Sequence, residues 1–151
     1  MKLPVLKIKK LDEHAVVPKA MTKEAAGLDI AVSSPVNFFP NVVTKVYTGI
    51  AMAIPKGYHG ELHIRSSWGQ RGIRLANCTG IIDSDYRGEI MLCVINDTNS
   101  VYHVLEGDRI AQFILVKDPA FNIEEVTELN KTERDVGGFG STDKKENKGD
   151  K

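Results

Sequence analysis

Residues 77–95 read Asn-Cys-Thr-Gly-Ile-Ile-Asp-Ser-Asp-Tyr-Arg-Gly-Glu-Ile-Met-Leu-Cys-Val-Ile. Two apolar runs rich in β-branched side chains flank the polar residues 83–85, which is typical of two strands joined by a turn. We therefore predict a β-hairpin with its turn centred on residues 85–86. In that register Cys78 would face Cys93 across the strand pair, which predicts nearby thiols but not a disulfide.

Segments of the same kind occur along the rest of the chain. Residues 42–54, 90–95 and 110–116 are rich in β-branched side chains, and apolar Leu6 and Ile8 alternate with lysines. Turn-forming residues separate the segments at positions 33–35, 55–57, 96–99 and 106–108. Short strands at this spacing predict an all-β fold, a jelly-roll-like barrel or sandwich.

The chain is long enough, at 151 residues, for one domain with a hydrophobic core. One short helix is predicted after Arg65, with Ser66 as its N-cap. From Thr132 onward the composition shifts to Gly, Ser, Asp and Lys. We predict a jelly-roll domain over residues 1–131, followed by a flexible, glycine-rich C-terminal arm and tail over residues 132–151.

Composition narrows the classes of partner. Twenty acidic and twenty basic residues balance, so no net field draws the chain to nucleic acid or to an anionic membrane. No apolar run is long enough to cross a bilayer, no signal peptide follows Lys2, and the two cysteines lack the spacing of a disulfide scaffold or a zinc site. We predict a soluble protein that is cytoplasmic or in another intracellular compartment, or in the host cytoplasm if the source is viral.

Five polar segments marked by glycine are distributed along the chain. They lie at residues 25–30, 65–67, 77–91, 107–112 and 134–142. Each is a weak signal alone, but in this order and at these separations they resemble the five motifs of the trimeric dUTPases, and together they span nearly the whole chain. The resemblance implies a jelly-roll homotrimer with three active sites, each assembled from all three subunits.

The reaction implied by the resemblance is hydrolysis of dUTP to dUMP and pyrophosphate, by attack of water on the α-phosphorus. It would limit uracil incorporation into DNA and supply dUMP for thymidylate synthesis. The implied cofactor is Mg²⁺. Because the sequence has no dedicated carboxylate cage, we expect the substrate phosphates and water to hold this ion, with no protein ligand.

The same resemblance implies that residues 77–91 recognise uracil, through main-chain groups around Gly80 and Met91 and through the Asn77 side chain, with Ile82 in the same pocket. An extended backbone suits this task because its N–H and C=O groups alternate in fixed positions. Cytosine carries a donor where O4 of uracil accepts, so a site built for uracil would leave buried polar groups unpaired with cytosine.

Two further roles in this segment are implied. Asp83 would activate the attacking water, while Tyr86 would pack on the deoxyribose and leave no room for a 2′-hydroxyl. The alternatives are that Asp83 only forms the turn and that Tyr86 is an ordinary turn or core aromatic.

Triphosphate binding requires hydrogen-bond donors and cations. The positions that match the phosphate-binding residues of the family are Arg65, Ser66, Ser67, Gln112, Arg134, Ser141 and Thr142. Helix capping is the alternative for the two neighbouring serines. Asp29 is expected to pair with Arg109 behind the phosphates, although an ordinary ion pair between strands would explain Asp29 equally well.

The segment at residues 134–142 is predicted to close over the bound nucleotide. Its glycines allow the chain to fold back, Phe139 could stack on uracil, and Arg134 would reach the γ-phosphate. A disordered tail is the alternative. Two residues depart from the family pattern: Asp135 stands where glycine is common, and Trp68 stands where a smaller apolar residue is frequent.

Three other interpretations of the sequence compete with this one. His59, Glu61 and His63 share one strand face, but no further nitrogen or sulfur ligand follows at a metal-site spacing, which favours a solvated or subunit-facing strand. A dCTP deaminase would share the jelly roll, with Glu89 as the candidate glutamate, yet residues 83–86 match the dUTPase pattern. The third is a dUTPase-like protein that acts mainly as a regulatory binding partner.

Overall fold

The structure is a computed structural model and describes residues 3–139. Its elements are β1 Lys7–Lys10, β2 Leu28–Ala31, β3 Val36–Phe38, β4 Val43–Ala53, β5 Tyr58–Ile64, α1 Ser66–Gly69, β6 Ile73–Leu75, β7 Gly80–Ile82, β8 Glu89–Asn96, β9 Tyr102–Val104 and β10 Arg109–Lys117. The predicted strands at 42–54, 90–95 and 110–116 match β4, β8 and β10 to within one residue at each end. In the described part of the chain, no helix has the length and apolar character needed to span a bilayer.

The strands form two four-stranded sheets and one two-stranded sheet, with every strand pair antiparallel. The sheet orders are β1-β4-β8-β6, β2-β10-β5-β7 and β3-β9. Buried side chains of both larger sheets join in one core, with Val46 and Leu92 from the first sheet and Ile30, Leu62 and Phe113 from the second. This sandwich architecture confirms the predicted fold class.

Strand β8 explains how the sequence sets the core. Ile90, Leu92 and Val94 are almost fully buried, while the residues between them point to the opposite face. Fully burying a side chain of this size contributes about 1.5–3 kcal/mol. A slip of one residue would turn all of these side chains toward solvent, so burial determines the strand register.

The predicted hairpin is wrong in its pairing, although its turn is present. Tyr86 N donates to the Asp83 carbonyl at 3.1 Å, which closes the turn. However, β7 pairs with β5 in one sheet, while β8 pairs with β4 and β6 in the other. The strands separate because β8 finds hydrogen-bond partners along both of its edges, and β7 extends the free edge of β5.

The predicted placement of Cys78 opposite Cys93 is also wrong. Ala76 N, not a group of Cys78, donates to the Cys93 carbonyl at 2.8 Å, and Cys78 lies in a left-handed conformation with φ 61° after β6 has ended. Both thiols are free and exposed.

The short helix begins where predicted, but its cap differs. Arg65 occupies the N-cap position with extended backbone and makes no side-chain capping bond, while Ser66 is the first helical residue. The predicted capping role of Ser66 is therefore wrong, which leaves its hydroxyl on the exposed surface of α1.

The chain divides into two units, Met1–Pro119 and Ala120–Lys151. The first contains all the elements named above. The second is described as far as residue 139 and contains no helix or strand in that part. The boundary predicted between residues 131 and 132 stays a prediction.

Candidate active site

A cavity of about 250 Å³ in the first unit contains four residues predicted for base, sugar or water. Its lining residues are Lys45, Ile81, Ile82, Asp83, Tyr86, Glu89, Met91 and Cys93. Asn77 lies beside Gly80, since its Nδ2 is 3.6 Å from the place where a Gly80 Cβ would stand. The structure therefore brings the uracil-segment residues together even though their two strands belong to different sheets.

The turn at residues 83–86 presents two of the predicted site residues outward. The Asp83 and Tyr86 side chains are exposed, the latter to 40%. The Tyr86 hydroxyl donates to the Glu89 carbonyl at 3.0 Å. Arg87 closes the outer side of the turn, because its Nη1 donates to the Ser84 and Tyr86 carbonyls at 2.7 and 2.8 Å.

Asp29 is the centre of a second group of predicted residues. Its side chain is 5% exposed and accepts from Arg109 Nη1 at 3.0 Å, so the predicted pair of Asp29 with Arg109 is present. Arg65 Nε lies 3.4 Å from the same carboxylate, and Gln112 Nε2 donates to it at 3.4 Å. The antiparallel register of β2 and β10, which pairs Gln112 with Asp29, creates this group.

Trp68 joins the helix α1 to this group, a role that the sequence did not indicate. Its indole Nε1 donates to the Arg109 carbonyl at 3.2 Å, and Arg65 Nη1 donates to the same oxygen at 3.1 Å. The ring packs edge-on against Phe38 and Tyr102 at centroid distances of 6.0 and 6.3 Å. A large aromatic in place of a smaller apolar residue therefore anchors the backbone that carries Arg109.

A basic cavity of about 480 Å³ opens over these residues. It is lined by Arg65, Ser67, Trp68, Arg71, His103, Gly107, Asp108 and Arg109. The Arg71 guanidinium lies 5.0 Å from the centre of the Trp68 ring, a cation–π contact that holds it in place. Arg71 was missed because its sequence neighbourhood has no phosphate-binding pattern. The cavity concentrates guanidinium groups in a chain without net charge, as anion binding requires.

Removing the Asp29 carboxylate should destabilise the fold. Asp29→Ala leaves Arg65 and Arg109 without their shared acceptor, which costs about 1–3 kcal/mol for a buried hydrogen-bonded group. We expect the lower part of that range because the guanidinium side chains are 28% and 40% exposed and water can solvate them. Thermal unfolding should show a fall of about 2–4 °C per kcal/mol.

The matched control is Asp29→Asn, which keeps the shape and one acceptor oxygen. We expect Asn to lower the melting temperature less than Ala. Equal melting temperatures for wild type and Asp29→Ala would contradict the structural role assigned to this carboxylate.

The second unit contains the remaining predicted residues. Arg134 Nε donates to the Gly137 carbonyl at 3.0 Å, and Gly137 N donates back to the Arg134 carbonyl at 2.9 Å, so this segment forms its own turn. Asp135 has a positive φ of 44°, which explains why glycine is common there and why Asp is tolerated. Phe139 is fully exposed, while Ser141 and Thr142 lie outside the described residues.

The histidines of β5 form a hydrogen-bonded row. His59 Nδ1 lies 2.6 Å from Asp118 Oδ1, and His63 Nε2 lies 2.8 Å from Glu61 Oε2. The bond to Asp118 raises the pKa of His59 above its usual value, against a smaller effect of burial. The bonds from His63 and His59 lower the pKa of Glu61. These side chains are therefore mutually paired along the strand.

Two of the cavities differ completely in their lining residues. The cavity with Asp83 and Tyr86 has no residue in common with the basic cavity over Asp29. The chain thus presents a turn with a free carboxylate and an aromatic ring at one place, and a group of guanidinium donors at another.

Comparisons with known proteins agree over almost the full length. A family model described as dUTPase matches residues 13–143. Deoxyuridine 5'-triphosphate nucleotidohydrolase of Nautilia profundicola is 43% identical over 140 residues, covering 92% of this chain and 99% of the relative. The protein of that name from Syntrophotalea carbinolica is 41% identical over 145 residues, covering 94% and 99%.

Solved structures give the same result. The Staphylococcus bacteriophage 80alpha dUTPase with dUPNHPP has a TM-score of 0.83 and 28% identity, covering 91% of this chain and 97% of that one. Phage dUTPases such as that of 80alpha are reported to control transfer of virulence genes. A mutant dUTPase from phage phi11 of S. aureus, described with a structural Mg(II) ion, has a TM-score of 0.76 and 25% identity, covering 82% and 97%.

Proposed function

The chain belongs to the dUTPase family, and on that premise we propose that it hydrolyses dUTP to dUMP and pyrophosphate. The observation that carries the proposal is that one chain has both kinds of site that dUTP hydrolysis requires. One is an exposed Asp83 beside the Tyr86 ring, and the other is a cavity where the buried Asp29 holds Arg65 and Arg109. One provides a base and a sugar contact, and the other provides donors for a triphosphate.

In the proposed mechanism, Asp83 takes a proton from a water molecule that attacks the α-phosphorus in line with the departing pyrophosphate. Uracil lies against Gly80, Ile82 and Met91, where Asn77 and main-chain groups read its hydrogen-bonding edge. Tyr86 packs on the deoxyribose. Excluding a 2′-hydroxyl at that ring would reject UTP by steric overlap.

The phosphate oxygens are bound by the donor set predicted from the family motifs. In the proposal the phosphate donors of the first unit are Arg65, Gln112 and the serines of α1, supported from behind by Asp29 and Arg109. The arm adds Arg134, Ser141 and Thr142, and Phe139 stacks on the base. These donors stabilise charge that develops on the phosphate oxygens. The substrate would be the Mg²⁺ complex of dUTP, with the ion held by phosphates and water; when bound, it would offset charge on the pyrophosphate leaving group.

We propose that three chains form each set of sites. The separate linings of the Asp83 cavity and the basic cavity support this, because one dUTP must contact both kinds of residue. The outer face of β4 supports it as well, since Val43 and Tyr47 are 55% and 48% exposed there. Apolar side chains exposed along one strand face are typical of a surface that another subunit covers. The cytoplasmic location stays a prediction.

The deaminase alternative is weakened by the family match, since the dUTPase model covers residues 13–143. Glu89 uses one carboxylate oxygen to hold the backbone of β4, with Oε1 accepting from Gly49 N at 2.7 Å and from Thr48 N at 3.2 Å. The other alternative, a dUTPase-like protein that acts mainly as a regulatory binding partner, stays a hypothesis.

A direct assay tests the proposed function. Purified protein with Mg²⁺ should release one pyrophosphate from each dUTP and release no ammonia from dCTP. Chelation of Mg²⁺ with EDTA should abolish the activity, and added Mg²⁺ should restore it, because the free tetraanionic triphosphate lacks the ion that offsets its charge. Ammonia from dCTP without pyrophosphate from dUTP would overturn the proposal in favour of the deaminase.

A further inference from the structure

We infer that Glu89 is a positioning residue for sugar selection, which acts by holding the Tyr86 ring through the backbone of residues 88–89. The inference rests on the proposed function, in which Tyr86 forms the wall that rejects a 2′-hydroxyl. In this view Glu89 does not touch the substrate. The Glu89 carboxylate fixes the position of the Glu89 main-chain carbonyl, and this carbonyl in turn fixes the position of the Tyr86 ring.

The Tyr86 ring lies across the backbone of Gly88. A Cβ atom at Gly88 would stand 2.3 Å from Tyr86 Oη and 2.5 Å from Cζ, both far inside van der Waals contact. Position 88 therefore has to be glycine for the ring to occupy this place. The ring folds back over its own chain, and Tyr86 lines the cavity that also contains Asp83 and Met91.

A single hydrogen bond determines the direction of the ring. Tyr86 Oη donates to the Glu89 carbonyl at 3.0 Å. Because Tyr86 is 40% exposed, few core contacts restrain it, and the position of this carbonyl becomes the main restraint on its hydroxyl end.

Glu89 is in turn attached to a bulge in β4. The ladder between β4 and β8 shifts register between the pairs Tyr47 with Met91 and Ala51 with Glu89, which leaves amides of the intervening residues without ladder partners. Glu89 Oε1 accepts from Thr48 N at 3.2 Å and from Gly49 N at 2.7 Å. Gly49 has φ 66°, a left-handed conformation that turns its N–H toward the carboxylate.

A second contact of the bulge reinforces the position of this backbone. The Thr48 hydroxyl, buried at 1% exposure, donates to the carbonyl of Ile90. The bulge thus holds residues 89 and 90 at two points, one through a side chain of β8 and one through a side chain of β4. Glu89 lines the same cavity as Tyr86, but its carboxylate is bonded to the bulge and is in this way connected to the sugar contact through Tyr86.

The test compares Glu89→Ala with Glu89→Gln by the ratio of kcat/KM for dUTP to kcat/KM for UTP. Ala removes both contacts of the carboxylate with the bulge. We expect the ratio to fall about three- to tenfold, which is equivalent to losing the one hydrogen bond that positions the Tyr86 hydroxyl. Gln keeps an acceptor oxygen at the same place and should retain the wild-type ratio. Val94→Ala, a core truncation in the same strand, should lower the melting temperature and leave the ratio unchanged.

A double-mutant cycle separates positioning from general damage. In a Tyr86→Ala background the sugar wall is already absent, so adding Glu89→Ala should change the ratio no further. Gly88→Ala, which displaces the ring directly, should lower the ratio of kcat/KM for dUTP to that for UTP, as Glu89→Ala should. It replaces Glu89→Ala in the test if Glu89→Ala does not fold. Thermal unfolding confirms that each compared variant is folded.

The outcomes distinguish the two levels of the proposal. A wild-type ratio in folded Glu89→Ala or Gly88→Ala, or an equal effect of Glu89→Ala with and without Tyr86, would overturn the inference alone. A wild-type protein that releases no pyrophosphate from dUTP would overturn the proposed function and the inference with it. An unchanged ratio in Tyr86→Ala would remove the sugar wall on which the inference depends.

Discussion

Asp83→Asn should lower the turnover of dUTP by about 10²–10⁴-fold, the usual contribution of a general base, while nucleotide affinity should stay close to that of wild type. Asn keeps the size of the side chain and its hydrogen-bonding capacity but cannot accept the proton of the attacking water. Asp83 is exposed on the turn closed by the Tyr86 N to Asp83 O bond, so the exchange leaves the core untouched. Single-turnover release of pyrophosphate and calorimetric binding of dUPNHPP measure the two quantities.

Asp85→Asn is the matched control for this experiment. Asp85 is a second exposed carboxylate of the same turn. It lines a neighbouring cavity together with Asp83 but is not part of the lining around Tyr86. Its substitution changes the net charge equally and should leave turnover near the wild-type value. Near-normal turnover of Asp83→Asn, or an equal loss in both variants, would remove Asp83 from the mechanism as its base.

We expect two inactive variants to regain activity when their subunits are mixed. One chain carries Asp83→Asn with an intact arm, and the other keeps Asp83 but ends before Arg134. Each homotrimer lacks one essential part at every site, so both should be nearly inactive. In the proposed trimer, Asp83 and the arm of one site come from different chains. A complete site therefore needs Asp83 from the truncated chain and the arm from the Asp83→Asn chain. With equal, random mixing each condition is met in about half of the sites, so about a quarter of the sites are complete.

The mixture is prepared by unfolding and refolding both variants together, and native mass spectrometry identifies the mixed trimers by mass. Refolding each variant alone provides the control for residual activity. If the arm closed over the Asp83 of its own chain, no mixed site would be complete and activity would stay at background. Background activity in samples that contain mixed trimers would overturn the shared-site proposal. It would not affect the proposal that the protein hydrolyses dUTP.

The alternation of apolar side chains was sufficient to predict β4, β8 and β10, since a strand buried on one face repeats every two residues wherever it pairs. The turn at residues 83–86 could also be predicted from the sequence, because turn formation depends on residues that are close together in the chain. The pair of Asp29 with Arg109 followed from the order of the family motifs. Local chemistry and motif order were enough for these features.

The partner of each strand was decided only in the tertiary structure. β7 and β8 are separated by six residues, yet they lie in different sheets, because edge hydrogen bonds with β5, β4 and β6 outweigh the short connection. The contacts of Trp68 with Arg109 and of Glu89 with the β4 bulge span 41 and 40 residues of sequence. No local pattern encodes such contacts, since they depend on which distant backbone groups the sheet register leaves unpaired. The sequence alone thus determined the strand periods, the turn and the family motifs, whereas the pairing of distant backbone groups decided how Arg109 and Tyr86 are held.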